Sequence, residues 1–174
     1  QGVSSAASDV YKRQCLNLGG FANCSMNEKD NLIAYDICAV NTVLNILAQK
    51  NNLKYDDGGN LAKMGNLIVP LSEKLKSLDF YSKRPPKSLG IEWVNKEIYP
   101  ILKHYEDRKT EDLLNTYTKH IAEQIGKTFK KNQRVLATGG GVKNHYLMQL
   151  IKENSFSKFI IPSIEILDLS LIHI

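Results

Sequence analysis

Nothing in this sequence offers a metal cluster or a disulfide framework. Its three cysteines, Cys15, Cys24 and Cys38, have no CxxC spacing and no paired histidines nearby, so no metal site is expected. Two of them stand in apolar, strand-like surroundings, where cysteine serves as a small buried hydrophobe. An odd count without a framework suits a reducing cytoplasm, the expected location. Long apolar runs are missing too. None approaches the roughly 20 residues that a bilayer-spanning helix needs, so no membrane partner is expected. The positive charge is unclustered: the chain carries +5, but its lysines are scattered among acids. That pattern describes a solvated basic surface and not a nucleic-acid face. Internal repeats and low-complexity linkers are absent. What remains is 43% hydrophobic and 24% charged, a globular composition with enough apolar residues for a real core.

The two ends of the chain are related to each other. Asp9-Val10-Tyr11-Lys12-Arg13-Gln14 can be written in codons as GAT GTG TAT AAG AGA CAG. The reverse complement of that string translates as Leu169-Ser170-Leu171-Ile172-His173-Ile174. Termini encoded by one inverted repeat resemble adapter sequence flanking an insert, and foreign segments are set aside in fold reasoning. The expected organisation is a tail over 1–14, one domain over 15–168 truncated at both ends, and a second tail over 169–174.

Within that domain, Cys15 to Met26 alternates and is rich in strand formers, with Gly19-Gly20 interrupting it. Asn27 to Asn31 is turn chemistry, and Leu32 to Tyr35 resumes the apolar run, so a β-hairpin is expected. Apolar residues at Val43, Leu44 and Leu47 give helical spacing from Val40 to about Lys50. Asp56 to Asn60 is a loop, and Pro70 opens a short helix to about Leu78. Pro85-Pro86 forces extended backbone. Helices are expected over about Ile91–His104 and Thr110–Lys131, the second with a stripe of Leu113, Leu114, Tyr117, Ile121 and Ile125. Val135-Leu136-Ala137 reads as a strand, Asn144–Lys152 as a helix and Phe159–Ile161 as a strand. Strands and helices in this order indicate an α/β layered domain.

Four local signals carry chemistry. Gly139-Gly140-Gly141 between a strand and a helix lets backbone N–H groups approach an anion or a flat ring, although a tight turn without a ligand explains it equally. It is not a dinucleotide fingerprint: Val142, Lys143 and Asn144 follow, and Asp168 is too late to be the acidic partner. Asp36 closes a strand just before a helix, where open α/β sheets place ligands; the competing explanation is a helix-capping or turn aspartate. Gly19-Gly20 inside a strand pattern marks a bulge or a close approach of a ligand to the backbone. Pro85 to Gly90 is a stiff loop presenting Lys87 and Ser88, or a plain connector.

Taken in order and spacing, these segments resemble a known family. Leu16-Asn17-Leu18-Gly19-Gly20-Phe21-Ala22-Asn23 is similar to the L-N-L-G-G-I-A-N segment of 1,6-anhydro-N-acetylmuramic acid kinases. Asp36 to Asn41 resembles the segment that reads D-T-G-P-G-N in most members and D-I-C-P-V-N in one branch. Pro85–Gly90 is similar to the P-P-K-S-(T/L)-G loop, and Thr138–Asn144 to the G-G-G-x-x-N turn. The resemblance covers nearly all of residues 15–168. One departure is Ala39, where proline is usual; it loosens the turn after Asp36 without removing a catalytic group.

The resemblance implies the second of two ribonuclease-H-like lobes of an actin-like ATPase, a mixed sheet with flanking helices. It implies an ATP- and Mg²⁺-dependent kinase whose small-molecule partner is an amino sugar. Water attacks the anomeric carbon, the 1,6 bridge opens, and the freed 6-oxygen takes the γ-phosphoryl group, in cell-wall recycling. Asp36 is then the base that activates the water. Asn17, Gly19, Gly20, Asn23 and Asn41 border the sugar and phosphates, and Lys87 with Ser88 face the substrate. Gly139, Gly140, Gly141 and Asn144 lie along the adenosine. The family's first lobe and its final helix are not in this chain, so the missing N-terminal lobe is an expected partner and the chain alone is expected to be inactive. A second copy of the chain is also kept among the candidate partners. Two other readings stay open: another sugar kinase or sugar-responsive regulator of the same superfamily, and a non-enzymatic α/β interaction domain. A G-T-S-x-D-G-x-D-like segment upstream would decide for the kinase.

Overall fold

The computed structural model describes residues 14–163; the remainder of both expected tails, and 164–168, lie outside the described residues. Gln14, expected to be the last tail residue, is instead the first residue of a strand and is buried. Five strands form one sheet: β1 (Gln14–Leu18), β2 (Phe21–Glu28), β3 (Asn31–Ala39), β4 (Arg134–Thr138) and β5 (Lys158–Ile160). Their order is β3-β2-β1-β4-β5. β2 is antiparallel to both its neighbours, while β1, β4 and β5 run parallel. This is a mixed sheet with flanking helices, an α/β fold as expected.

The expected hairpin is a three-stranded meander. Gly19-Gly20 turns the chain between β1 and β2 instead of bulging one long strand, and at Gly20 a Cβ would lie 2.7 Å from the Thr42 hydroxyl. The β2–β3 turn has Lys29 and Asp30 both at positive φ, 48° and 69°, the backbone twist that suits a two-residue hairpin. Alternation decides the faces. Leu16, Leu18, Ala22, Cys24, Val135 and Ala137 are all buried, and the residues between them are half-buried.

Helices α1 (Asn41–Gln49), α2 (Asn60–Met64), α3 (Val69–Lys76), α4 (Ile91–Trp93), α5 (Tyr99–His104), α6 (Thr110–Thr128) and α7 (His145–Asn154) supply the rest of the core. The expected helix over 91–104 is interrupted by a π-type turn at Val94–Ile98. Pro100 follows it and lacks the N–H that a regular ladder would use. The short α2 starts at Asn60, the last residue of the expected loop. Asp56 makes it possible by accepting the Leu61 and Ala62 N–H groups, both at 2.9 Å, which satisfies donors that a helix start leaves unpaired. α6 is the central helix. It packs on α1, α2, α3, α7 and β3, and its predicted stripe, Leu113 to Ile125, is at most 1% exposed. Among the described residues, no helix is long and apolar enough to cross a membrane.

Strand direction positions the site. Because β2 reverses twice, β1 and β3 run the same way, and β4 runs parallel to β1. The C-terminal ends of β1, β3 and β4 therefore meet on one edge of the sheet, where open α/β sheets bind ligands.

Candidate functional site

At that edge a cavity of about 460 Å³ is lined by Asn17, Gly19, Gly20, Asn23, Asp36, Gly139 and Gly140, together with Phe21 and Leu89. A second cavity of about 290 Å³ adjoins it through Gly140. It is lined by Asn41, Gly140, Gly141 and Asn144 on one side and by Lys54, Tyr55, Asp57 and Gly58 on the other. Both are in the size range of small-molecule sites. All four segments singled out in the sequence thus meet at one opening, the Pro85–Gly90 loop through Leu89 alone.

The three glycines of the β4 turn do different work. Gly139 has φ 88° and ψ 168°, a region essentially reserved for glycine. A Cβ there would lie 2.5 Å from both the Asn17 side chain and the Leu18 carbonyl oxygen. A Cβ on Gly141 would meet Leu18 Cβ at 2.7 Å. These two glycines are required by the close passage of the turn over the end of β1. Gly140 is different: a Cβ there would meet nothing within 4 Å. It is the member of the triplet that faces open space and borders both cavities. Beyond the turn, the Asn144 side chain caps α7 by accepting the Leu147 N–H at 3.0 Å, so its amide has a structural task as well as a place on the cavity wall.

Gly20 closes the opposite side in a similar way. The Gly19 and Gly20 carbonyls accept the N–H groups of Asn41 and Thr42, at 3.3 and 3.2 Å. These first-turn donors of α1, free in most helices, are therefore taken by the chain. The Asp36 carboxylate does not cap α1. The residue before that helix is Val40, with no side-chain cap, so the turn-or-cap explanation of Asp36 does not hold for α1.

Asp36 is held by the Pro85–Gly90 loop. Its N–H donates to the Lys87 carbonyl at 3.0 Å, and its Oδ2 accepts the Leu89 N–H at 2.7 Å. The β2–β3 register shifts beside it, with Ala22 opposite Cys38 and Asn23 opposite Asp36. The extra residue, Ile37, is a bulge, and bulges re-aim neighbouring side chains. One carboxylate oxygen is thus anchored, and the other has no hydrogen-bond partner among the described residues. Such an oxygen is free to accept a proton or a hydrogen bond from a bound molecule. The loop is a clamp on the aspartate, a role that its sequence did not reveal because both bonds come from backbone groups.

Lys87 and Ser88 depart from expectation. The Lys87 ammonium lies over the Phe80 ring, 4.6 Å from its centroid, and donates to the Phe80 carbonyl at 3.2 Å. Burial lowers its pKa, opposed by nearby Cys24 and Cys38. Neither Lys87 nor Ser88 lines the cavity that contains Asp36. The reason is that the Phe80 carbonyl and ring hold the ammonium, while the Lys87 backbone carbonyl is taken by the Asp36 N–H. Cys24 and Cys38 are buried free thiols, and burial raises both pKa values, as their apolar settings implied. Sequence reasoning missed Leu89, Phe21 and the Lys54–Gly58 wall. For that wall the only signal was the Asp57-Gly58 turn pair.

The model of one family matches residues 5–168, and its description is anhydro-N-acetylmuramic acid kinase. Curated relatives bearing that name include one from Francisella tularensis subsp. novicida, 30% identical over 79% of this chain and 39% of its own length. Another, from Acinetobacter baylyi, is 30% identical over 80% of this chain and 42% of its length. One from Bacillus cereus is 29% identical over 83% and 41%. This chain therefore spans about two-fifths of the length of the curated relatives it matches. Among solved structures, the activator of the 2-hydroxyisocaproyl-CoA dehydratase from Clostridium difficile, with bound ADPNP, aligns over 94% of this chain and 63% of its own, at TM-score 0.48 and 16% identity. With the family model covering nearly the whole described domain, the chain belongs to the anhydro-N-acetylmuramic acid kinase family.

Proposed function

We propose that the protein to which this chain belongs is a cytoplasmic, ATP-dependent kinase of cell-wall recycling. It hydrolytically opens 1,6-anhydro-N-acetylmuramic acid and phosphorylates it to N-acetylmuramic acid 6-phosphate. The observation that carries the reading is Asp36, which does not close its strand as expected but sits three residues before the end of β3: a carboxylate clamped through one oxygen by Leu89, with the other oxygen open beside two glycine turns.

In this reading the free oxygen of Asp36 takes a proton from the water that attacks the anomeric carbon. The Leu89 N–H keeps the carboxylate from rotating, so the basic oxygen stays aimed at one point. Asn17 and Asn23 offer amide hydrogen bonds to sugar hydroxyls, and Gly19 and Gly20 let a ligand approach the backbone. The cavity bordered by Gly140, Gly141, Asn41 and Asn144 takes the nucleoside, with the flat, Cβ-free surface of Gly140 beneath it. Among the described residues, no three His, Cys, Asp or Glu side chains converge on a metal position. Mg²⁺ is commonly held by one or two carboxylates and substrate phosphates, so it fits here as a companion of the nucleotide phosphates, whose charge it would neutralise. The rest of the protein, beyond the two-fifths in this chain, would close the other side of the cleft.

The test uses the full-length protein. Asp36→Asn keeps the size of the side chain and its acceptor for Leu89 but cannot take a proton. Turnover is expected to fall by about 10² to 10⁴, while calorimetric affinity for the anhydro sugar stays within a few-fold. An Asp36→Asn enzyme with near-normal kcat removes Asp36 as the base.

A further inference from the structure

Behind the Asp36 clamp, on the side of β3 away from the cleft, a pocket of about 200 Å³ is lined by Lys87, Lys127, Gln124, Thr128, Tyr35 and Tyr81, among others. Its polar groups have no task in the proposed reaction. We propose that this pocket is a binding site for a small phosphate-type oxyanion.

Charge is the first argument. Two lysines line the pocket and no carboxylate does. Among the described residues, Lys127 has only Glu123 as a counter-ion, at 3.9 Å, and Glu123 lies closer to Lys76, at 3.2 Å. Lys87 has no carboxylate partner among the described residues; its ammonium rests on the Phe80 carbonyl and ring. The second argument is a side-chain amide without a protein partner, on a largely buried residue. Gln124 is 8% exposed, yet its side chain makes no hydrogen bond among the described residues; only its backbone carbonyl is used, by the Thr128 hydroxyl at 3.0 Å. The amide lines the pocket, and an oxyanion there would accept from its NH₂. Burial also keeps the Tyr81 hydroxyl protonated, and its oxygen is 2.9 Å from His120 Nε2. The last turn of α6 borders the pocket and contributes about half a negative charge at its C-terminus, which two full positive charges outweigh.

The probe is inorganic phosphate, titrated into the ¹⁵N-labelled 174-residue chain at constant ionic strength, with acetate as the comparison anion. The expected result is a saturable shift of the Gln124 side-chain amide. Lys127→Gln should weaken it about fivefold, the upper range for an exposed ion pair, and Gln124→Met should weaken it further. Lys127 has an exposed side chain, so its replacement leaves the fold intact. A non-saturating response, a midpoint unchanged in both variants, or acetate binding as tightly as phosphate would overturn the assignment.

Discussion

Placing alanine separately at Gly139 and at Gly140 should have opposite consequences, although the two residues are adjacent and chemically identical. At Gly139 the backbone conformation costs a non-glycine residue about 1–3 kcal/mol. The new methyl group also meets the Asn17 side chain and the Leu18 carbonyl at 2.5 Å, and overpacking of this kind adds about 1–3 kcal/mol. The sum, about 2–6 kcal/mol, is a large part of the 5–15 kcal/mol typical of a domain. At about 2–4 °C per kcal/mol for a chain of this size, Gly139→Ala should lower Tm by about 4–24 °C. At Gly140 no atom lies within 4 Å of the added Cβ, so Gly140→Ala should stay within about 0.5 kcal/mol of the parent. It should nevertheless weaken nucleotide binding by the full-length protein, because the methyl group enters the space shared by the two cavities. Urea and thermal denaturation of the chain, beside nucleotide titration of the full-length protein, separate the two effects. Equal destabilisation by both substitutions would refute the division of labour within the triplet.

Tyr117→Phe removes the hydroxyl that donates to the Ala39 carbonyl at 2.9 Å in the core. A loss of about 1–3 kcal/mol is expected by urea denaturation, and an unchanged midpoint would show that this bond does not hold the end of β3. Burial pulls the pKa of His120 down from 6.5 to about 3. Between those values the unfolded chain binds a proton that the folded chain excludes, so the contribution of His120 is complete above pH 6.5 and is lost as pH falls toward 3. The slope from this group approaches about 1.4 kcal/mol per pH unit. His120→Gln should flatten the acid limb of a stability–pH profile, and parallel profiles for the two proteins would rule out His120 as its source.

Much of the scaffold was legible in the chain itself. The alternation of Leu16, Leu18, Ala22 and Cys24, the stripe from Leu113 to Ile125 and the strand–glycine–helix order around Gly139 depend on nearest-neighbour stereochemistry and on periodicity. Both are local properties, and local properties survive in a sequence. The same holds for the choice of Asp36, Gly19-Gly20 and Gly139–Gly141 as residues of interest, and for the family to which their spacing belongs. Tertiary structure decided what each of them does. A Gly-Gly pair can bulge a strand or reverse it, and only the pairing of β1 with both β2 and β4 makes it a turn. Asp36 and Leu89 are 53 residues apart, and their bond uses a backbone N–H that every residue but proline possesses, so composition could not single it out. Lys87 was chosen for its charge, but the Phe80 carbonyl and ring hold that charge away from the cavity of Asp36. Gly139 and Gly140 are the same letter in the sequence. The end of β1 beneath one and open space above the other make them different residues, because a contact across the fold is a property of two segments and is written in neither alone.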